Sequence, residues 1–152
     1  MKFLSSALSA LSLTAFAAAG PAPQGSTAGT TVDVTYDTLY GYPDLSTLAL
    51  TCGTGENGLY PKGYVVLGDL PNFPFVGASP TVEGWNSPNC VACYRLTYKD
   101  KSINIIAVDD AQDGFVLSQA ALDELTNGQA VELGNITATY ERAAQADCGF
   151  TS

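Results

Sequence analysis

The sequence predicts a small, mostly-β barrel, and three observations predict it. Short alternating or β-branched runs recur along the chain, and one segment alone has the spacing of a convincing helix. Glycine- and proline-rich stretches separate these runs at irregular intervals, unlike the regular hairpins of a sandwich. No internal repeat interrupts the pattern.

In chain order, Met1-Lys2 is a short positive start, and Phe3 to Ala19 is apolar and small. Ala17-Ala18-Ala19 supplies the small residues a signal peptidase reads, so residues 1–19 are expected to be a signal peptide. Cleavage is expected after Ala19, with Ala17 as the alternative. The apolar run falls short of the roughly 20 residues that span a bilayer, and Gly20-Pro21-Ala22-Pro23 follows it. Residues 20–31 have nothing to bury and read as a flexible spacer open to O-glycosylation. About 130 residues remain after the leader, enough for one domain with its own core, expected over residues 32–152.

Val32 to Tyr36 alternates like a strand. Gly41 to Gly63 is loop-rich, with five glycines and Cys52. Tyr64 to Leu67 leads into Gly68 to Pro88, turn-dense through Pro71, Pro74, Pro80 and Pro88. Cys93 to Tyr98 and Ser102 to Val108 form an expected hairpin across Lys99-Asp100-Lys101. Ile103 to Val108 is β-branched enough for a central strand. Ser118 is the expected N-cap of a helix over Gln119 to Thr126, which Asn127-Gly128 ends. Val131 to Leu133 and Ile136 to Tyr140 are expected as two closing strands.

The chain has 6 basic and 15 acidic residues and no histidine. Loss of Lys2 with the leader leaves five against fifteen, a net charge near −10. Such a surface repels phosphate backbones and anionic membranes but not a neutral polysaccharide. Without histidine there is no Ser-His-Asp or Cys-His nucleophile and no histidine metal site. Carboxylate chemistry remains, and glycoside cleavage needs two carboxyl groups about 5–10 Å apart. The best acidic run, Asp109-Asp110-Ala111-Gln112-Asp113-Gly114, follows directly on the apolar strand, where a barrel opens. It reads equally well as a solvated turn. As a calcium loop it lacks a ligand at Ala111 and a glutamate at Ala120, so no metal is expected.

Cys52, Cys90, Cys93 and Cys148 are an even set in an exported chain, which implies two disulfides with three pairings open. Cys90-Val91-Ala92-Cys93 has the spacing of a redox pair or half a zinc site. The strand-like run after it and the missing second ligand pair argue against both. Tyr36, Tyr40, Tyr42, Tyr60, Tyr94 and Trp85 are candidate faces for stacking on sugar rings. Asn135-Ile136-Thr137 is a glycosylation acceptor.

The order of motifs carries more than any one of them. Val34-Thr35-Tyr36-Asp37, Asp44-Leu45-Ser46 and Cys52-Gly53-Thr54-Gly55-Glu56-Asn57-Gly58-Leu59 come first. Phe73-Pro74-Phe75-Val76-Gly77, Gly84-Trp85-Asn86-Ser87-Pro88-Asn89-Cys90-Val91-Ala92-Cys93, Val108-Asp109 and a final Cys148 follow. From Val32 onward this resembles the cerato-platanin family of small secreted fungal proteins. The resemblance implies a six-stranded double-psi β-barrel with one or two short helices and the pairing Cys52–Cys90 and Cys93–Cys148. It implies binding of chitin or N-acetylglucosamine oligomers, loosening of cellulose without hydrolysis, and recognition by plants as a defence elicitor. The implied groove consists of Tyr36, Asp37, Asp44, Leu45, Ser46, the loop Gly53, Thr54, Gly55, Glu56, Asn57 and Gly58, and Asp109. The sequence departs from the family in Val91-Ala92, where Gly-Thr is common, in Tyr94 for Trp, in Asp110 for a small serine, and in Asn57 where histidine occurs.

Three functions are therefore expected in descending order. The first is a secreted, non-catalytic polysaccharide-binding and wall-loosening protein without cofactors, a monomer or weakly self-associating, with a plant receptor as further partner. The second is a surface-active, self-assembling wall protein. The third is a glycoside hydrolase using Asp109 as acid, for which Asp110 points the wrong way to be the partner. On the first reading, Asp109→Ala is expected to abolish loosening and leave the melting temperature nearly unchanged.

Overall fold

Alternation and β-branching do their work at the ends of the chain first. In the computed structural model, which describes residues 29–151, strand β1 spans Thr30–Tyr36 and pairs antiparallel with the last strand, β6 (Ile136–Arg142). Thr30 and Thr31, expected in the spacer, face Tyr140 and Thr139 across this pair. The expected signal peptide, its cleavage site and residues 20–28 of the spacer lie outside the described residues.

The expected hairpin is present as β3 (Cys93–Tyr98) and β4 (Lys101–Asp110), with β2 (Val76–Ser79) and β5 (Phe115–Leu117) completing the sheet. The strands close in the order β1-β5-β2-β4-β3-β6, with parallel pairs β1–β5 and β2–β4. The fold is thus the mostly-β, closed six-stranded barrel expected, with two short helices. Ile105 to Val108 are buried on both faces of β4, which accounts for that strand's unbroken apolar run. Helix α1 (Gln119–Thr126) covers one of those faces, burying Ala121, Leu122 and Leu125. Its N-cap is Ser118, whose hydroxyl accepts from the Ala121 amide, and it ends at Asn127 in the left-handed region. Phe115, Tyr94 and Tyr140 meet edge to face, with centroids 5.1–5.9 Å apart.

One expectation fails, and one alternative left open is decided. Val131 to Leu133 is not a strand but most of a single helical turn, α2 (Ala130–Leu133). Side chains at the end of α1 set it up: Asp123 accepts from the Ala130 amide and Thr126 from the Gln129 amide. Val131 is 66% exposed, so its β-branched side chain finds no sheet neighbour to reward extension. Asp109 and Asp110 are not a turn but the last two residues of β4, paired with Ala78 and Ser79 beyond an irregularity in register.

The disulfides are Cys52–Cys90 and Cys93–Cys148, with sequence separations of 38 and 55. In the chain-entropy account each loop of this length contributes about 4 kcal/mol by restricting the unfolded chain. Both bridges hold the Cys90–Cys93 segment, one to the loops and one to the C-terminal end.

Candidate functional site

Above the end of β4 the chain runs through short 3₁₀ turns. The first, Thr38–Gly41, is capped by Asp37, whose carboxylate accepts from the Leu39 amide at 2.8 Å. That turn carries Tyr40 inward, where its hydroxyl donates to Asp109 Oδ2 at 3.0 Å. Asp109 Oδ1 accepts from the Thr51 amide at 2.9 Å and from the Asp110 amide at 3.1 Å. The Thr51 hydroxyl donates to Asp110 Oδ1. Asp109 is half-buried and ties two loops to the barrel rim, while Asp110 is exposed. Burial raises the Tyr40 hydroxyl far above its ordinary pKa, helped by the charge of Asp109, the bond to it, and the charges of Asp37 and Asp110.

The next turn, Thr47–Ala49, is capped by Ser46, whose hydroxyl accepts from the Leu48 amide at 3.3 Å. Gly53 lies against it: a side chain there would run into the Thr47 carbonyl, so only glycine lets the loop close onto the turn. The Gly53–Gly58 loop is braced from behind. Asn57 donates through its amide nitrogen to Asn86 Oδ1 at 2.9 Å and through Nδ2 to the Asn86 carbonyl at 3.0 Å. Trp85 Nε1 donates to Thr54 Oγ1 at 2.9 Å, and the indole stands 68% exposed.

The geometry brings Asp37 and Asp109 together around Tyr40, and sets Gly53 against the turn that Ser46 caps. It links Thr54 and Asn57 to the 85–86 segment. Tyr36 ends β1 half-buried against the core, and Leu45 is likewise half-buried. Asp44 and Glu56 are exposed. Of the candidate stacking faces, Tyr40 and Tyr94 are buried and present none, whereas Tyr42, Tyr60 and Trp85 are exposed. The sequence reading missed Thr51, which bonds to both aspartates, and Asn86, which holds the loop. Their only sequence signal is the turn chemistry of small polar residues, which many loops share. Among the described residues no group of His, Cys, Asp or Glu is placed to hold a metal ion.

A small closed barrel stapled by two disulfides, with its polar and aromatic groups spread over a loop-built rim, defines the class. The sequence model of the cerato-platanin family matches residues 32–150, and the chain belongs to that family. It is 45% identical over 151 residues to the heat-stable 19 kDa antigen of Coccidioides immitis (strain RS), covering 99% of each chain. It is similar to the crystal structure of cerato-platanin 1 from M. perniciosa, with 45% identity and TM-score 0.75, covering 77% of this chain and 98% of that one. It is also similar to the solution structure of the fungal elicitor cerato-platanin, with 34% identity and TM-score 0.70, covering 77% and 96%.

Proposed function

We propose that this protein is an exported, non-catalytic carbohydrate-binding protein that acts in the extracellular space or cell wall. Its ligand is a neutral β-linked polysaccharide: chitin and N-acetylglucosamine oligomers first, cellulose second. The observation that carries this reading is the exposed indole of Trp85, fixed by Thr54 of the 53–58 loop. A sugar ring stacks its apolar face on such a platform while its hydroxyls reach the carboxylates. Neutral chains are favoured because the protein's charge of −9 opposes anionic ones. Loosening of chain–chain contacts follows from competition for hydroxyls and requires no bond cleavage. Asp109 already accepts three hydrogen bonds, a role that supports holding over proton donation.

The test is an amide NMR titration with N-acetylglucosamine oligomers. Saturable shifts in the 53–58 loop, Trp85 and Asp109, lost in Trp85→Ala, support the reading; silence there refutes it. Release of reducing sugar above a blank refutes the non-catalytic part. The solved neighbour described as a fungal elicitor supports a further role, recognition by a plant receptor. A second reading, assembly at surfaces, draws on the exposed Leu39, Tyr42, Leu48, Tyr60 and Val65.

A further inference from the structure

Behind the Cys52–Cys90 bridge lies a pocket of about 460 Å³ between the 57–64 loop and the C-terminal segment. Its lining includes two of the six basic residues of the chain, Lys62 and Arg142, and none of the fifteen acidic ones. In so acidic a protein that selection is what gives the pocket a sign. Among the described residues neither cation pairs with a carboxylate: the ion pairs there belong to Arg95 and Lys101.

Neutral groups orient both cations instead. Lys62 Nζ donates to the carbonyls of Glu56 and Gly58 at 3.1 and 3.2 Å, which commits two of its three protons. Arg142 Nη1 donates to Asn89 Oδ1 at 3.0 Å and to the Tyr94 hydroxyl at 3.5 Å, and the guanidinium sits 5.4 Å over the Tyr94 ring. Its remaining donors are uncommitted among the described residues. Two full positive charges are therefore held in place with no counter-ion among the described residues.

The rest of the lining sets three uncharged polar residues, Asn57, Gln145 and Thr151, among apolar and aromatic groups. Tyr64 and Phe150 meet edge to face at 6.0 Å, and Pro88 and Val91 add to that side. The volume is far more than a bare inorganic anion fills and suits a small organic molecule. We propose that this pocket binds a small aromatic carboxylate, its charge toward Lys62 and Arg142 and its ring against Tyr64 and Phe150. The pocket shares Asn57 with the 53–58 loop of the proposed sugar platform, while its cations and aromatic wall lie outside that platform.

The test is a titration of the oxidised protein with benzoate, benzamide and inorganic phosphate, followed by amide NMR. Benzoate is expected to shift the amides of Lys62, Tyr64, Val91 and Arg142 saturably, and benzamide to bind at least about tenfold more weakly. Lys62→Gln and Arg142→Gln should each weaken benzoate several-fold. Arg142→Lys, which keeps the charge if the Tyr94 stack is lost, should stay within about threefold of wild type. Higher salt should weaken binding, because both charges reach solvent. Equal binding of benzamide, or unchanged affinity in both glutamine variants, overturns the proposal. So does phosphate binding as tightly as benzoate, which would make the pocket a site for bare anions.

Discussion

Replacing Asp109 by alanine removes three acceptor contacts at once, and two of them join separate loops to the barrel rim. A hydrogen bond to a charged group contributes about 1.5–3 kcal/mol, and the orphaned Tyr40 hydroxyl, part-buried at the rim, adds a desolvation cost. Discounted for the half-exposed position, the loss is about 2–4 kcal/mol. For a domain of this size that lowers the melting temperature by roughly 10 °C. This revises the expectation drawn from sequence that the melting temperature stays nearly unchanged. Asparagine separates charge from geometry. Its oxygen can keep both amides, and its NH₂ can donate to the Tyr40 oxygen, so Asp109→Asn should cost about 1 kcal/mol. Thermal unfolding by circular dichroism of the oxidised proteins reads both variants. An alanine variant within about 2 °C of wild type, or an asparagine variant as unstable as alanine, refutes Asp109 as a structural hub.

Tyr40 makes alkaline pH destabilising. Its folded pKa lies above the unfolded value of about 10, so its contribution is complete below that pH and is lost as pH rises beyond it. Tyr40→Phe should lower the urea midpoint at pH 8 and flatten its fall between about pH 10 and 11; an unchanged slope counts against the Tyr40–Asp109 contact. Gly77→Ala would drive a methyl into the Val116 carbonyl and to 2.8 Å from Leu117 Cα, between strands that cannot part. A loss of more than about 3 kcal/mol, or no folded protein, is expected, and a melting temperature near wild type would contradict the register of β2 and β5. Asn135 is exposed after the α2 turn, so secretion from a eukaryotic host should add a glycan that peptide N-glycosidase removes. No mass change in that host, or the same mass in Asn135→Gln, would reject the site.

What could be read from the sequence follows how local the determinants are. The hairpin and α1 carry their own pattern, N-cap and stop, and the structure places them within a residue or two of the expectation. Strand β2 was hidden because Val76-Gly77-Ala78-Ser79 is small and flanked by prolines. Its extension is imposed from outside by β4 and β5, and its smallness is what lets β5 approach. Strand β5 has three residues, too few for any period. The disulfide pairing came from the family resemblance, since four cysteines alone leave three pairings. At the rim, the aspartates were visible as a charged run, but their partners were not. Nothing in sequence joins Tyr40 to Asp109 across 69 residues.

Val91 shows why a departure from the family pattern need not be a defect. It holds φ = 65°, a left-handed conformation that glycine adopts freely and a β-branched residue resists, at about 1–2 kcal/mol. Replacement by glycine would relieve that strain. It would also expose the wall that Val91 fills, since the side chain is only 4% accessible and its burial contributes about 1.5–3 kcal/mol. Glycine adds about 0.5–1 kcal/mol of unfolded-state entropy to the loss. The balance predicts that Val91→Gly is destabilising by about 1 kcal/mol, despite placing a conformationally ideal residue there. The backbone is held whichever residue stands there. Cys90 and Cys93 are bridged in opposite directions, the Val91 amide donates to the Ala107 carbonyl at 2.8 Å, and Gln145 Nε2 donates to the Val91 carbonyl at 2.9 Å. A stabilised Val91→Gly variant, measured by urea unfolding with the disulfides intact, would show that strain outweighs burial. Either way the disulfides do more than hold the chain ends. They hold the left-handed turn that forms the pocket wall behind the Cys52–Cys90 bridge, while Cys52 anchors the loop in front of it.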